Sequence, residues 1–362
     1  MRKYYPGITL FKIAGSLLVL AAHIVLLQVL STAMNGSGSQ LHYLFNGLKI
    51  VVPCFYLISG FLVYRGWNRS GSPKVYVRSY LRKLLFLYLL FMAMFALQYL
   101  LPPLIHEFSL HNLLLQAKML AVAFVLNGPY VQLWFIPPLL FGTAAAFWLM
   151  RRQSGKAIAA CIAASFLAGQ LVQGSLRALL ESVWGPFSFL ETGIGPYAVL
   201  MIARYLGYGL TFTGLGALLA KHEAKFTGRR GSGLLYTALG SFFIEIVLLG
   251  VLIPWKESYA LSISMLPMSV LLFYGVLRIR SSRLENCHRA LNLGTMVIFF
   301  GHIPLMQLNV WMTGDTASQV GIGSSAGYYV LTLLECIFLT WIMIRWNGRH
   351  GRRPRQGATA SK

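Results

Sequence analysis

Runs of roughly twenty apolar residues, separated by short polar or basic connections, recur along the whole chain. Each run has the length an α-helix needs to cross about 30 Å of hydrocarbon at about 1.5 Å per residue. The pattern predicts spans at about residues 8–30, 43–65, 79–101, 131–150, 156–174, 197–219, 233–254, 259–279, 290–312 and 326–346. The expected fold class is therefore an all-α polytopic membrane protein with about ten transmembrane helices. A further apolar stretch from Asn112 to Leu126 is short for a crossing and carries Lys118, which predicts an interfacial or re-entrant segment.

Charge gives these spans a direction. Hydrophobic residues make up 57% of the 362 and charged residues 11%, against about 25% charged in an ordinary soluble domain. The net charge of +22, from 31 Lys plus Arg against 9 Asp plus Glu, would suggest a nucleic-acid partner if the basic residues formed a surface. Instead they gather in alternate short connections. Arg2 and Lys3, Arg65 to Lys83, Arg151 to Lys156, Lys221 to Arg230, Arg278 to Arg289 and the tail from Arg345 fall on one face of the ten-span arrangement. The positive-inside bias makes that face cytoplasmic, with both termini inside and no nucleic acid implied. An additional crossing at 112–126 would put most later positive charge outside. The expected organisation is one membrane domain over 1–348 and a basic cytoplasmic tail over 349–362, held as a multi-pass protein of the cytoplasmic membrane. The first run, about 23 residues long with a lysine and a histidine, reads as a retained span rather than a cleaved leader.

The cysteines Cys54, Cys161, Cys287 and Cys336 are scattered and form no CxxC pair, so neither a disulfide frame nor a metal site is expected. No P-loop, dinucleotide fingerprint, HExxH or GxSxG occurs in a fitting context, which disfavours an ATP-driven pump and the common hydrolases. The outer connection 31–42 is rich in Gly, Ser and Asn, while 102–130 and 175–196 are longer, of a length more often functional or disordered than merely connecting.

Ionisable groups inside the spans are expensive and point to function. Six stand out: Lys12, His23, Arg204, Glu245, His302 and Glu335. Lys12 and His23 lie eleven residues apart, which places them within roughly 20° of one helix face and about 16 Å apart along the axis. Each also has a plain structural role, Lys12 as an anchor snorkelling to the cytoplasmic surface and His23 as an interhelical hydrogen-bonding group. Arg78 and Arg82 sit one turn apart beside Lys83 on a helix entering the membrane, where they can clamp phosphate or hold lipid head groups. His302 precedes Pro304, which frees a carbonyl one turn earlier and suits either a polar cavity or a kinked, packed helix. Glu245 and Glu335 suit proton handling, ion binding or a structural pair with Arg204. Tyr130 and Trp134 read as interfacial aromatics.

In order along the chain, these segments resemble the integral-membrane acyltransferase-3 family. The likeness is carried by Phe11-Lys12-Ile13-Ala14 running to Leu20-Ala21-Ala22-His23, by Phe55-Tyr56-Leu57-Ile58-Ser59-Gly60-Phe61-Leu62, and by Arg78 to Lys83 followed by Tyr88. Leu133-Trp134-Phe135 and Gly301-His302-Ile303-Pro304 complete it. The chain departs from the family in having Lys12 where an arginine is usual, and in spacing Arg78, Arg82 and Lys83 differently from the family's Arg-x-x-Arg. The resemblance implies acyl-CoA, usually acetyl-CoA, as cytoplasmic donor and a hydroxyl of an extracytoplasmic polysaccharide, peptidoglycan or lipid-linked sugar as acceptor, with no metal. It implies that Lys12, Arg78, Arg82 and Lys83 hold the nucleotide phosphates while a pantetheine arm of about 15–20 Å reaches towards His23, a distance comparable with the axial spacing above. His23 would act as general base or carry the acyl group, and Ser59 and His302 would support an oxyanion or orient the acceptor. A separate extracytoplasmic transferase would complete the reaction in one version. The rival expectation is a transporter or flippase using Lys12, His23, Arg204, Glu245 and Glu335 as a path. Its usual sign, an inverted repeat with interrupted helices, is absent from the sequence.

Overall fold

A computed structural model describes residues 4–26, 49–130, 133–228, 230–252, 260–314 and 322–350. The stretch 31–42, together with Arg2, Lys3, Arg229, Lys256 and the tail beyond residue 350, lies outside the described residues. The helices are α1 (Pro6–Ala21), α2 (Val51–Trp67), α3 (Pro73–His106), α4 (Leu110–Asn127), α5 (Ile136–Arg152), α6 (Gly155–Gln173), α7 (Ser175–Trp184), α8 (Gly195–Lys221), α9 (Ser232–Leu249), α10 (Met265–Arg278), α11 (Ser282–Thr313) and α12 (Ile322–His350). Among the described residues there is no strand, only an isolated bridge between Gly174 and Leu261. Eight helices are long and apolar enough to cross a bilayer, and α2 and α10 are shorter apolar helices. The all-α polytopic architecture expected from the apolar runs is the one observed.

Local chemistry explains where the helices begin. Pro73 opens α3 and Pro137 and Pro138 open α5, positions where the missing N–H costs nothing. As a result α3 starts six residues before the expected span and carries Arg78, Arg82 and Lys83 as exposed side chains. The segment expected to be too short for a crossing is longer than its apolar residues suggest. Ser109 caps α4 by accepting a hydrogen bond from the Asn112 N–H, and the helix reaches 18 residues.

The chain divides into two compact units. The first comprises residues 1–35 and 279–362 and is built from α1, α11 and α12. Here α1 and α11 run parallel with a constant offset. Tyr4 Oη donates to the Leu284 carbonyl at 3.0 Å and Lys12 Nζ donates to Asn292 Oδ1 at 3.5 Å, both 280 residues apart. Leu20 and Ile24 pack with Ile298, Tyr328 and Cys336 in a dry core. Lipid tails are as apolar as these side chains, so close packing and interhelical hydrogen bonds hold the unit rather than hydrophobic transfer. α12 returns antiparallel to α11. Thr313 bonds Tyr328 at 2.6 Å, and the Asn309 amide donates to Glu335 Oε2 at 3.0 Å and Thr332 Oγ1 at 3.3 Å.

The second unit comprises residues 36–278. Its centre is the contact of α2 with the C-terminal half of α8, where Gly60 and Gly216 let the backbones meet. Small residues at such positions are the usual device for tight helix packing in membranes. Trp67, Val77 and Ala217 close the end of α2 against the start of α3. Arg65 Nε lies 3.3 Å from a Glu223 carboxylate oxygen at the same end. In the long connection after α6, Arg177 is buried and donates to Glu181 at 2.7 Å, to Glu191 at 2.9 Å and to the Val172 carbonyl at 3.0 Å. The connection is thus an ordered cap with its own helix, α7.

Candidate active site

Two of the residues singled out from sequence meet in the first unit. Beyond Ala21, α1 continues as a wide π-helical turn, Ala22–Leu26, which carries His23. Turns of this kind recur at functional sites. The His23 ring stacks against that of His302, with centroids 5.5 Å apart and planes inclined by 29°. His302 is fully buried on α11. Its Nδ1 lies 2.8 Å from the Ile298 carbonyl, which can only accept, so Nδ1 carries the proton and Nε2 bears the lone pair. Among the described residues that Nε2 has no hydrogen-bond partner. Buried polar atoms are almost always paired, and an acceptor with this geometry beside a second imidazole could take a hydrogen bond from a hydroxyl.

Lys12 lies half-buried about three turns nearer the start of α1. Asn292 accepts from its ammonium, and Asn292 is itself held by the His288 carbonyl at 2.8 Å. His288, Thr295, His302 and Asn309 recur every seven residues, which keeps them within about 20° per step of one face of α11. That polar stripe meets Tyr4 at His288 and His23 at His302, and reaches α12 at Glu335. Asn292 and Asn309 were not anticipated as site residues. The seven-residue spacing of polar groups on an apolar helix was the signal available for Asn309.

Of the other predicted residues, Ser59, Arg78, Arg82, Lys83, Arg204 and Glu245 belong to the second unit and Glu335 to the first. Ser59, half-buried on α2, is hydrogen-bonded by Tyr80 of α3. Tyr80 lies between Arg78 and Arg82, so Ser59 abuts the helix that carries the basic cluster. Arg78, Arg82 and Lys83 are exposed. Arg204 is half-buried on α8; it stacks on Trp134 and hydrogen-bonds the Leu126 carbonyl and Asn127. Among the described residues it forms no ion pair with Glu245. Glu245 instead accepts hydrogen bonds from the Ser175 hydroxyl and from the N–H groups of Ile263 (2.7 Å) and Ser264 (2.9 Å). Glu335 is held by Asn309. A loop of backbone donors takes the role of the expected cation, which side-chain sequence alone does not reveal.

Among the described residues no group of three metal-ligating side chains is clustered. The acyltransferase-3 family model, described as an acyltransferase domain, matches residues 5–345, nearly the whole chain. No curated protein and no solved structure matches.

Proposed function

Because the chain belongs to the acyltransferase-3 family of membrane acyltransferases, we propose that it moves an acetyl group from cytoplasmic acetyl-CoA to a hydroxyl of an extracytoplasmic polysaccharide, peptidoglycan or lipid-linked sugar. The observation that carries the reading is the His23–His302 pair, with the Nε2 of His302, unpartnered among the described residues, buried beside it. One imidazole takes the hydroxyl proton while the hydroxyl oxygen attacks the thioester carbonyl. The C–S bond then breaks, and the CoA thiolate recovers the proton from the imidazolium. His23 is the base in this scheme. His302, its Nδ1–H spent on Ile298, presents an acceptor and orients the incoming hydroxyl. In that tautomer it has no N–H left to donate to an oxyanion, so oxyanion support falls to other donors.

Arg78, Arg82 and Lys83 are the proposed holders of the donor's phosphates, and the charge at Lys12 is proposed to contribute separately to use of the donor. The exposed positions of the three α3 residues suit a charged ligand arriving from solution. Replacing Arg78, Arg82 and Lys83 together by glutamine is expected to raise the KM for acetyl-CoA by about tenfold, the size of one charge-assisted hydrogen bond of roughly 1.5 kcal/mol. The kcat should stay close to wild type, and steady-state CoA release against acetyl-CoA concentration reads both. At Lys12 the charge matters more than the shape, because a single amide oxygen at 3.5 Å demands no fork. Lys12→Arg is expected to keep acetyl-CoA use within about threefold and Lys12→Ala to weaken it by about tenfold, on the same scale for one charged contact. Equal losses in both variants would mean a packing role.

The protein is placed by this reading in the cytoplasmic membrane among lipids, with or without a separate extracytoplasmic transferase. The test is CoA release from radiolabelled acetyl-CoA by protein in nanodiscs, with and without a cell-envelope glycan extract. Acceptor-stimulated release supports the proposal. Absence of binding or turnover of any acyl-CoA by folded protein would overturn it and turn attention to sugar and ion flux.

A further inference from the structure

Arg204 is an intramembrane cation that none of the chemistry above uses. It lies nine residues into α8, about 13 Å along the axis, on a π-helical stretch, Ile202–Leu210, that also carries Tyr205 and Tyr208. Among the described residues no carboxylate pairs with it. Its Nη1 donates to the Leu126 carbonyl and to Asn127 Oδ1 at 3.3 Å, and its guanidinium carbon sits 4.9 Å over the Trp134 ring. Nε and Nη2 have no partner among the described residues, and the contact with Asn127 is open to the surroundings.

The neighbours of Arg204 are spent on holding this arrangement. Tyr56 donates to the Phe135 carbonyl at 2.9 Å, Tyr205 to Val125 at 2.6 Å and Tyr208 to Ala260 at 2.8 Å. The Tyr208 ring meets Trp134 edge-on at 5.6 Å. Behind Trp134, Gly128 takes φ +73°, and a Cβ there would lie 2.6 Å from the Trp134 backbone nitrogen, so the position favours glycine on both counts. A guanidinium whose plane is fixed by stacking, with one edge anchored and the other without a partner among the described residues, is preorganised for a two-oxygen anion. An ionisable group within a membrane-spanning helix is expensive and marks a functional site.

We propose that Arg204, seated on Trp134, is an anion-binding subsite that holds the carboxylate or phosphate group of an acidic acceptor glycan or lipid-linked sugar. This rests on the acyltransferase reading above and narrows its acceptor to an anionic one. An anionic lipid head group offers the same oxygens, so the test separates the two sources.

Wild-type and Arg204→Gln protein in phosphatidylcholine nanodiscs, without acyl-CoA, are titrated with a fluorescently end-labelled cell-envelope glycan extract divided by anion exchange into charged and neutral pools. The charged pool is expected to bind wild type at least tenfold more tightly than the neutral pool, and Arg204→Gln to erase that difference. Arg204→Lys, which keeps charge without the fork, should retain part of it and serves if the glutamine variant does not fold. Undiminished binding of the charged pool by a folded variant overturns the proposal, as does failure of both variants to fold, which would make Arg204 structural. A lipid site would show itself differently: phosphatidylglycerol in the discs would stabilise wild type and not Arg204→Gln, with glycan binding unaffected, and that also overturns the proposal. Because the titration contains no acyl-CoA, charge-selective binding by protein that releases no CoA would keep the subsite and remove the acyl-transfer chemistry, while CoA release without charge selectivity would do the reverse.

Discussion

Protein carrying His23→Ala is expected to insert and fold as wild type does while losing acceptor-stimulated CoA release by roughly 10²–10⁴-fold, the span of rates that a positioned general base supplies. Folding should survive because a polar ring within a membrane helix is a cost rather than a support. The apolar contacts of α1 with α11 and α12 run through Leu20 and Ile24, on either side of it. The His302 ring, which stacks 5.5 Å from His23, keeps its own anchor at Ile298 when His23 is removed. For that reason His302→Ala should lower kcat with the KM for acetyl-CoA unchanged, since His302 orients the hydroxyl and touches no donor phosphate. The measurement is CoA release per folded molecule, with folding checked by thermal unfolding in the same nanodiscs. A well-folded His23→Ala protein that retains acceptor-stimulated release within threefold of wild type removes His23 from the chemistry. Loss of release in His302→Ala alone would instead make His302 the base, a role its open Nε2 permits.

The helices were legible because a span of twenty apolar residues satisfies its own backbone and declares itself without a partner. Their ends were less so. Pro73 and Ser109 start α3 and α4 by local capping chemistry, among residues too polar to register as part of an apolar run. His23 and His302 were each visible as ionisable groups in the wrong solvent, but nothing in either segment shows that residues 279 positions apart share a site. That follows from the parallel register of α1 and α11, which only the packed unit displays. The π-helical turns bearing His23 and Arg204 leave no mark in composition. The expected pairing of Arg204 with a glutamate failed for a related reason. Backbone N–H groups of Ile263 and Ser264 satisfy Glu245, and side-chain inventories do not count such donors.

One segment of the family likeness gains a physical account that is not catalytic. Phe55 to Leu62 holds Gly60, where a Cβ would overlap the carbonyl oxygen of Thr213, and across the same contact a Cβ at Gly216 would overlap that of Leu57. Both obstacles are backbone atoms of a helix, which cannot swing aside as a side-chain end can. Gly60→Ala is therefore expected to force α2 away from α8 and cost about 3 kcal/mol or more, the upper end of the range for overpacking. That shift would disturb Phe61 and Phe212, both fully buried, and the Ser59–Tyr80 hydrogen bond one residue away. The check is the yield and thermal midpoint of Gly60→Ala in nanodiscs beside Gly71→Ala, where an added Cβ meets nothing within 4 Å. A stable Gly60→Ala protein that merely lost activity would place the segment in the chemistry after all. An unstable one whose surviving folded fraction still releases CoA would show that the glycine is there to bring the two helices together.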